Sequence, residues 1–129
     1  MALNVDIVTP EKIVYSGPAD GVSAPGVLGE FDVLPEHALF LSLLRAGTVT
    51  VRSKGAAKRF VVGRGFAEAG PQRVVVLVDS CEAADSVDKA AAQALLQRAE
   101  AVILDSAPDT EERLAAERDV ELARARLEA

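Results

Sequence analysis

The composition of the chain changes near residue 85, and this change constrains the fold more than any other feature. All nine glycines and all five aromatic residues lie before residue 71. Residues 85–129 contain one proline, Pro108, and are rich in alanine, leucine, glutamate and arginine, which favour helix. The sequence therefore predicts two differently built domains, residues 1–84 and residues 85–129.

The first domain has the pattern of short β-strands. Apolar and polar residues alternate in "LNVDIV" and "TVTVR", and "RFVVG" and "RVVVLV" are continuous apolar runs. Gly- and Pro-containing turns separate these segments, and no helical pattern long enough for a parallel crossover lies between them. A two-sheet antiparallel sandwich or barrel is favoured. Within "EHALFLSLLRAG" we expect a strand that packs Leu39, Leu41 and Leu43 inward.

The second domain begins with a predicted helix. Asp85 or Ser86 is a candidate N-cap, and the helical pattern continues to about Asp105. Apolar residues recur at three- and four-residue spacing, which indicates a face that packs against another element. The members of this face are Ala91, Ala92, Leu95, Leu96, Ala99, Val102 and Ile103.

A second helix follows a break at Pro108. Asp109 and Glu112 have the spacing of a capping box, and the helix is expected to end near Leu127. The two helices would form an antiparallel hairpin. Because the predicted seam is mostly alanine, each contact buries little apolar area, so the hairpin is expected to be weakly held and able to detach or extend.

Composition and charge exclude several classes of function. The net charge of −6 argues against binding to nucleic acid or anionic lipid, and residues 85–129 carry most of it, with 6 basic and 11 acidic side chains. The lone Cys81 excludes an internal disulfide, no Cys/His cluster has metal-ligand spacing, and no cofactor is expected. The sequence also lacks a signal-peptide pattern and an apolar run of about 20 residues, which predicts a cytoplasm-like compartment.

The stretch "GEFDVLPEHA" at residues 29–38 concentrates charge beside apolar residues. Glu30, Asp32 and Glu36 lie near His37, the one histidine, yet no serine or cysteine nucleophile is patterned with them. Catalysis is therefore disfavoured. Two other interpretations stay open: a solvated loop with scattered charge, or a rigid tip whose charges form a docking surface.

Three segments in this order carry a family resemblance: "VTPEKIVYSG", then "VSAPGVLGEFDVLPEHALFLSLLRAGTVTVR", then "FVVGRGFAEAGPQRVVVLVDSCE". Together they resemble the epsilon subunit family of F-type ATP synthase over essentially the whole chain. The resemblance implies an antiparallel ten-stranded β-sandwich followed by a two-helix hairpin. It also implies a non-catalytic rotor subunit of the central stalk, which couples proton-driven rotation of the c-ring to ATP synthesis.

The resemblance implies partners and contact residues as well. The gamma subunit and the c-ring are the expected partners, with Glu30 and His37 as contact candidates and Phe31 and Leu34 shaping the loop. In some family members the hairpin extends toward the alpha and beta catalytic subunits and inhibits ATP hydrolysis; a permanently folded hairpin is the alternative. The expected location is the cytoplasmic side of a bacterial inner membrane, as a peripheral protein.

Some bacterial members bind ATP at the start of the first helix, which suggests an alternative function as an ATP-sensing switch. Val87, Asp88 and Ala92 match the motif of those members, and Arg98 matches another basic position. Ala91, however, replaces the motif arginine, and a guanidinium fork is what binds phosphate oxygens. We therefore expect weak or absent ATP binding.

Overall fold

The computed structural model describes residues 3–129, which form ten β-strands followed by two α-helices. This confirms the predicted strand-rich first part and helical second part. The elements are β1 (Leu3–Val8), β2 (Ile13–Ala19), β3 (Gly21–Gly26), β4 (Gly29–Val33), β5 (Phe40–Leu44), β6 (Gly47–Ser53), β7 (Ala56–Val62), β8 (Gly65–Ala69), β9 (Arg73–Val78), β10 (Cys81–Ala83), α1 (Lys89–Asp105) and α2 (Glu111–Glu128).

The strands form two leaves. One leaf has the order β4-β3-β6-β7-β10 and the other β5-β8-β9-β1-β2. They are joined where β3 meets β5, through the residue pair Gly26 and Leu44. A Cβ at Gly26 would lie 2.7 Å from the Gly29 carbonyl oxygen, so glycine allows the chain to turn tightly into β4 here.

The strand directions differ in one respect from the predicted antiparallel sandwich. Within residues 3–129, β1 pairs with β9 in parallel, with Val5 opposite Val74 and Ile7 opposite Val76. No hairpin joins these two strands, so no turn forces them to be antiparallel. Both strands present buried residues at alternate positions, and this pattern fits either direction of pairing.

The core lies between the two leaves. Val5, Ile7, Val49, Val62 and Val76 are completely buried there, at 0 % exposure. The period-2 pattern of "LNVDIV" correctly identified the inward face of β1, because successive side chains of a strand point to opposite sides of the sheet. Close packing across the whole interface makes this domain a stiff body.

The prediction for "EHALFLSLLRAG" is correct for the strand and wrong for its buried face. Leu39, Leu41 and Leu43 are 80 %, 66 % and 62 % exposed, whereas Leu44 is buried. The segment is apolar on both faces, so its own sequence does not define which face turns inward. Pairing with β8 decides it, because Ser42 lies opposite the buried Ala67.

The first helix begins later than predicted. A short 3-10 turn, Ala84–Ser86, follows β10, and the Ser86 hydroxyl donates to the Ala83 carbonyl rather than capping the helix. The N-cap of α1 is Asp88, whose carboxylate accepts a hydrogen bond of 3.0 Å from the Ala91 N–H. The prediction of Asp85 or Ser86 as the N-cap of α1 was wrong because both residues belong to the 3-10 turn that precedes the helix.

The second helix is capped one residue later than predicted. Thr110 is the N-cap of α2, and its hydroxyl accepts a hydrogen bond of 3.2 Å from the Arg113 N–H. Asp109, the predicted cap, has φ 64°. A cap residue needs an extended backbone, which Asp109 in the left-handed region does not provide.

The helices pack antiparallel along the predicted alanine seam, except that Ala91, which the sequence assigned to this face, is exposed. The Lys89 ammonium, at the start of α1, donates to the Arg126, Leu127 and Ala129 carbonyls at the end of α2, at 2.7–2.9 Å. These are carbonyls that a helix end leaves without partners, so a cation there stabilises α2. Buried seam residues are Ala92, Ala99, Ala116, Val120 and Ala123.

Candidate interaction surfaces

Five neighbouring strands carry an apolar residue at the same level on the outer face of one leaf. Strand pairing places Leu43 beside Phe66, Phe66 beside Leu77, Leu77 beside Val8, and Val8 beside Ile13. Leu43 and Ile13 are more than 60 % exposed, and Phe66 is 37 % exposed. We call these five residues the outer row.

Further exposed apolar residues extend the outer row at its β5 end. The Val27 N–H donates to the Leu43 carbonyl at 3.0 Å, which holds the β3–β4 turn beside the row. Val27 is half exposed and Leu28 is fully exposed. Exposed apolar surfaces of this kind are typical of sites that bind proteins, membranes or ligands.

An open groove of ≈ 540 Å³ runs over the middle of the outer row. Val8, Phe66 and Leu77 line it, together with Pro10 and Arg64. The groove is shallow and open to solvent. Its shape suits the side chains of a protein surface rather than an enclosed small molecule.

The candidate contact residues in "GEFDVLPEHA" do not form one tip. Glu30 and Phe31 lie in β4, whereas Leu34 and His37 belong to the turn that follows it. Phe40 connects two of the four: its ring centroid is 5.2 Å from that of Phe31 and 4.9 Å from that of His37. The structure therefore places the rings of Phe31 and His37 against the same Phe40 ring and leaves Glu30 and Leu34 exposed.

Asp32 and Glu36 of this stretch both contact nearby parts of the sandwich. Asp32 accepts a hydrogen bond from Ser23 and lies 3.6 Å from the Arg52 guanidinium. Glu36 has φ 68°, and its N–H donates to the Pro71 carbonyl at 2.6 Å, which fixes the turn. This arrangement positions side chains for contact and assembles no acid–base pair.

The described residues contain no metal site and no membrane-spanning helix. Over residues 3–129, His, Cys, Asp and Glu side chains never cluster in threes at positions that would hold a metal ion. Neither helix in this range has the length and apolar character needed to cross a membrane.

The hairpin is docked on the sandwich through Glu121 of α2. Its carboxylate accepts hydrogen bonds from Arg64 Nε and Nη2 at 2.8–3.2 Å, and from the Ala46 N–H at 2.7 Å. The hydrogen bond from Arg64 lowers the pKa of Glu121, and the Ala46 N–H acts in the same direction against the effect of burial. The bond with Glu121 likewise raises the pKa of Arg64.

A small apolar contact and a second ion pair complete the docking. Ala46 and Val61 of the sandwich are buried against Ala125 of α2. The Arg126 guanidinium donates to Glu82 on β10 at 2.6 Å. Sequence reasoning missed both ion pairs, since their members lie 57 and 44 positions apart and no local pattern connects them.

The candidate nucleotide positions are separated in the structure. Asp88 caps α1, and Ala92 is fully buried in the helical seam. Arg98 is exposed ten residues further along, which corresponds to about 15 Å of helix. Ala91 is exposed and supplies no donor beyond its backbone. The structure therefore gathers no fork of donors at the start of α1.

The described residues thus form a β-sandwich that exposes an apolar row on one face and carries a docked helical hairpin. The family model for the β-sandwich domain of the ATP synthase delta/epsilon chain matches residues 2–84. The chain belongs to the ATP synthase delta/epsilon chain family.

Two relatives illustrate this membership. The ATP synthase epsilon chain of Desulforamulus reducens is 47 % identical over 96 residues, covering 74 % of this chain and 73 % of that protein. The epsilon chain of Synechococcus sp. is 39 % identical over 129 residues, covering 100 % of this chain and 93 % of that protein.

Solved structures share the fold. A chain in the Euglena gracilis mitochondrial ATP synthase structure, OSCP/F1/c-ring in rotational state 1, aligns with a TM-score of 0.82 and 19 % identity, over 96 % of this chain and 78 % of that chain. A chain in the central stalk/c-ring structure of Tetrahymena thermophila mitochondrial ATP synthase aligns with a TM-score of 0.64 and 13 % identity, over 99 % and 96 %.

Proposed function

We propose that this chain is a non-catalytic rotor subunit of the central stalk of F-type ATP synthase. In this role it links proton-driven rotation of the c-ring to ATP synthesis in the catalytic head. Membership of the delta/epsilon family supports the proposal, and so does a fold shared with chains of ATP synthase structures that contain a c-ring. The observation that carries the proposal is the outer row, because monomeric soluble proteins rarely expose a large contiguous apolar surface.

The outer row is the proposed site for the gamma subunit. Leu43, Phe66 and Ile13 are exposed across the full width of one leaf, so a partner of matching apolar character would bury them together. The leaf behind them is backed by a tightly packed core. A close-packed body passes force from one face to another with little deformation, as a rotor subunit requires.

The β4 segment and the turn after it are the proposed contact with the c-ring. Glu30 and Leu34 are exposed there, and the His37 ring is held against Phe40. Charged groups at the rim of an interface set orientation and association rate more than affinity. In this assignment residues 1–84 form the coupling domain.

Residues 85–129 are the proposed regulatory domain. The hairpin is docked in the structure, yet its apolar contact with the sandwich is one small cluster, in which Ala125 and Leu122 of α2 pack on Ala46 and Val61. We propose that it can leave this position, extend toward the alpha and beta catalytic subunits and limit ATP hydrolysis. The proposed location is the cytoplasmic side of a bacterial inner membrane, as a peripheral protein.

Co-purification with the cognate gamma subunit tests the assignment. The wild-type chain is expected to form a stable complex, and Leu43→Asp is expected to abolish it, because a carboxylate would be buried without a partner. Leu104→Asp is the matched control, since Leu104 is 86 % exposed on α1, away from the outer row. A folded wild-type chain that never associates with gamma contradicts the proposal.

Deletion of residues 86–129 tests the regulatory role in the reconstituted complex. Coupling is expected to persist, because the outer row and the β4 segment belong to the sandwich. ATP hydrolysis is expected to rise if the hairpin inhibits it. Unchanged hydrolysis would argue against inhibition and leave the rotor assignment in place.

A further inference from the structure

The docked α2 helix borders the outer row. A shallow groove lies between them, lined by Val27, Leu43, Gly65, Arg64 and Glu121. A protein that covers Leu43 and Val27 must therefore also approach the Arg64–Glu121 ion pair. The inference below rests on the proposed function, in which gamma is that protein.

Arg64 belongs to two surfaces at once. Its guanidinium holds Glu121 through two nitrogens, and Arg64 also lines the groove over Phe66 and Leu77. The side chains of Arg64 and Glu121 are 49 % and 28 % exposed in the free chain, so water still reaches this pair.

Other charged groups near the pair do not replace Glu121. Asp79 and Glu117 act on Arg64 through charge alone, and Arg45 acts on Glu121 in the same way. The Asp79 N–H is bonded to the Arg64 carbonyl at 3.0 Å, so the chain position of Arg64 is fixed independently of the hairpin. Hairpin release therefore removes the hydrogen-bonded partner of Arg64 and leaves the guanidinium at the edge of the groove.

A partner bound on the outer row changes the free energy needed to separate Glu121 from Arg64 and undock the hairpin. In the free chain, water solvates Arg64 when Glu121 departs, which lowers the free-energy cost of breaking the pair. Beneath an apolar partner, water is excluded, and a charge separated from its counter-ion is left uncompensated. Breaking the pair therefore costs more when the outer row is covered.

We propose that the docked hairpin completes the gamma-binding surface, with Arg64 and Glu121 at its edge, so that gamma binding and hairpin docking reinforce each other. The linkage is reciprocal: gamma raises the ratio of docked to undocked chain by the same factor by which docking raises the affinity for gamma. The surface is composite, with the outer row supplied by the sandwich and the charged edge completed by α2.

Two measurements on the full-length chain test this proposal. Fluorophores at Ala57 on β7 and Ala107 in the interhelical loop, both exposed, report the distance between sandwich and hairpin. A titration with cognate gamma reports affinity. We expect gamma to lower the undocked fraction about five-fold or more, which is the lower range of such couplings. Glu121→Gln is expected to raise the undocked fraction and weaken gamma binding by a similar factor.

Asp119→Asn is the matched control, because it removes one carboxylate from the exposed side of α2. It is expected to change neither quantity. Arg64→Gln provides a second disruption of the pair, should Glu121→Gln alter the helix itself, and its effects are expected to match those of Glu121→Gln.

The outcomes separate this inference from the proposed function. If gamma binds the wild type, is lost on Leu43→Asp, and binds Glu121→Gln as tightly as the wild type, the composite surface is wrong and the rotor assignment stands. A hairpin distance that is unaffected by gamma also overturns the composite surface. If gamma does not bind the wild type at all, both proposals fail.

Discussion

Arg126, in the last turn of α2, donates a hydrogen bond of 2.6 Å to Glu82 on β10. Both side chains are about one-third exposed, at 29 % and 32 %. The bond ties the C-terminal end of the hairpin to an edge strand of the sandwich. Together with the bonds of Glu121 to Arg64 and Ala46, it anchors α2 at two points along its length.

Loss of the Arg126 anchor should loosen the end of α2. We expect Arg126→Ala to destabilise the docked hairpin by about 1 kcal/mol, since charge-assisted hydrogen bonds are stronger than neutral ones but this pair is partly solvated. Hydrogen exchange of the α2 amides measures the change. Arg118→Ala is the control, because Arg118 is exposed on the same helix about two turns before Arg126. Equal exchange rates in the two variants would show that Arg126 is no anchor.

Acid should undock the hairpin through Glu121. Arg64 holds the pKa of Glu121 below its ordinary value of 4.5. A depressed folded-state pKa means that the carboxylate contributes its stability fully above pH 4.5 and loses it as pH falls through the folded-state value. The sandwich-to-hairpin distance should therefore increase in this acid range. Glu121→Gln should remove this pH dependence, and an unchanged profile in that variant would assign the transition to other carboxylates.

The β4 segment and its turn should affect coupling more than folding. Glu30→Lys reverses an exposed charge, so we expect a change in stability within about 0.5 kcal/mol but altered ATP-driven proton pumping in the reconstituted complex. His37→Ala also removes the ring that packs on Phe40. Thermal unfolding and pumping assays separate the two effects. If pumping is normal in both variants, the segment is only a turn.

ATP binding should be weak or absent in the isolated chain. Asp88 is engaged as a helix cap, Ala91 offers no side-chain donor, and Arg126 is paired with Glu82. Isothermal titration calorimetry is expected to detect no micromolar affinity. Ala91→Arg restores the missing guanidinium and is the informative variant. Micromolar binding of ATP by the wild-type chain would contradict this prediction and favour the ATP-sensing function.

The thiol of Cys81 should react slowly. Burial, with a contribution from the charge of Glu82, raises its pKa to about 11. Because the thiolate is the nucleophile, its fraction at pH 8 is about 0.001, against about 0.2 for an ordinary cysteine with a pKa near 8.5. Alkylation of the native protein should be at least about 100-fold slower than that of the unfolded chain. Comparable rates would mean that Cys81 is accessible as thiolate in the native fold.

The contact candidates show what the resemblance could and could not supply. It indicated Glu30, Phe31, Leu34 and His37 as a group, and their role at the c-ring stays a prediction. Their division between a strand and a turn, and the ring of Phe40 between Phe31 and His37, depend on how β4 and β5 come together. No spacing rule within "GEFDVLPEHA" contains that information.

The sequence by itself determined the strand-rich first part, the helical second part, the inward face of β1 and the alanine seam of the hairpin, because periodicity and propensity are local properties. Tertiary structure decided which face of β5 is buried, how β1 pairs with β9, and how the hairpin docks. Leu43 became a surface residue because pairing with β8 turned the other face of β5 inward. β1 pairs with β9 in parallel, a direction that neither a connecting turn nor the burial pattern sets. The contact of Arg64 with Glu121 joins residues 57 positions apart, and only the docking of one domain on the other brings such residues together.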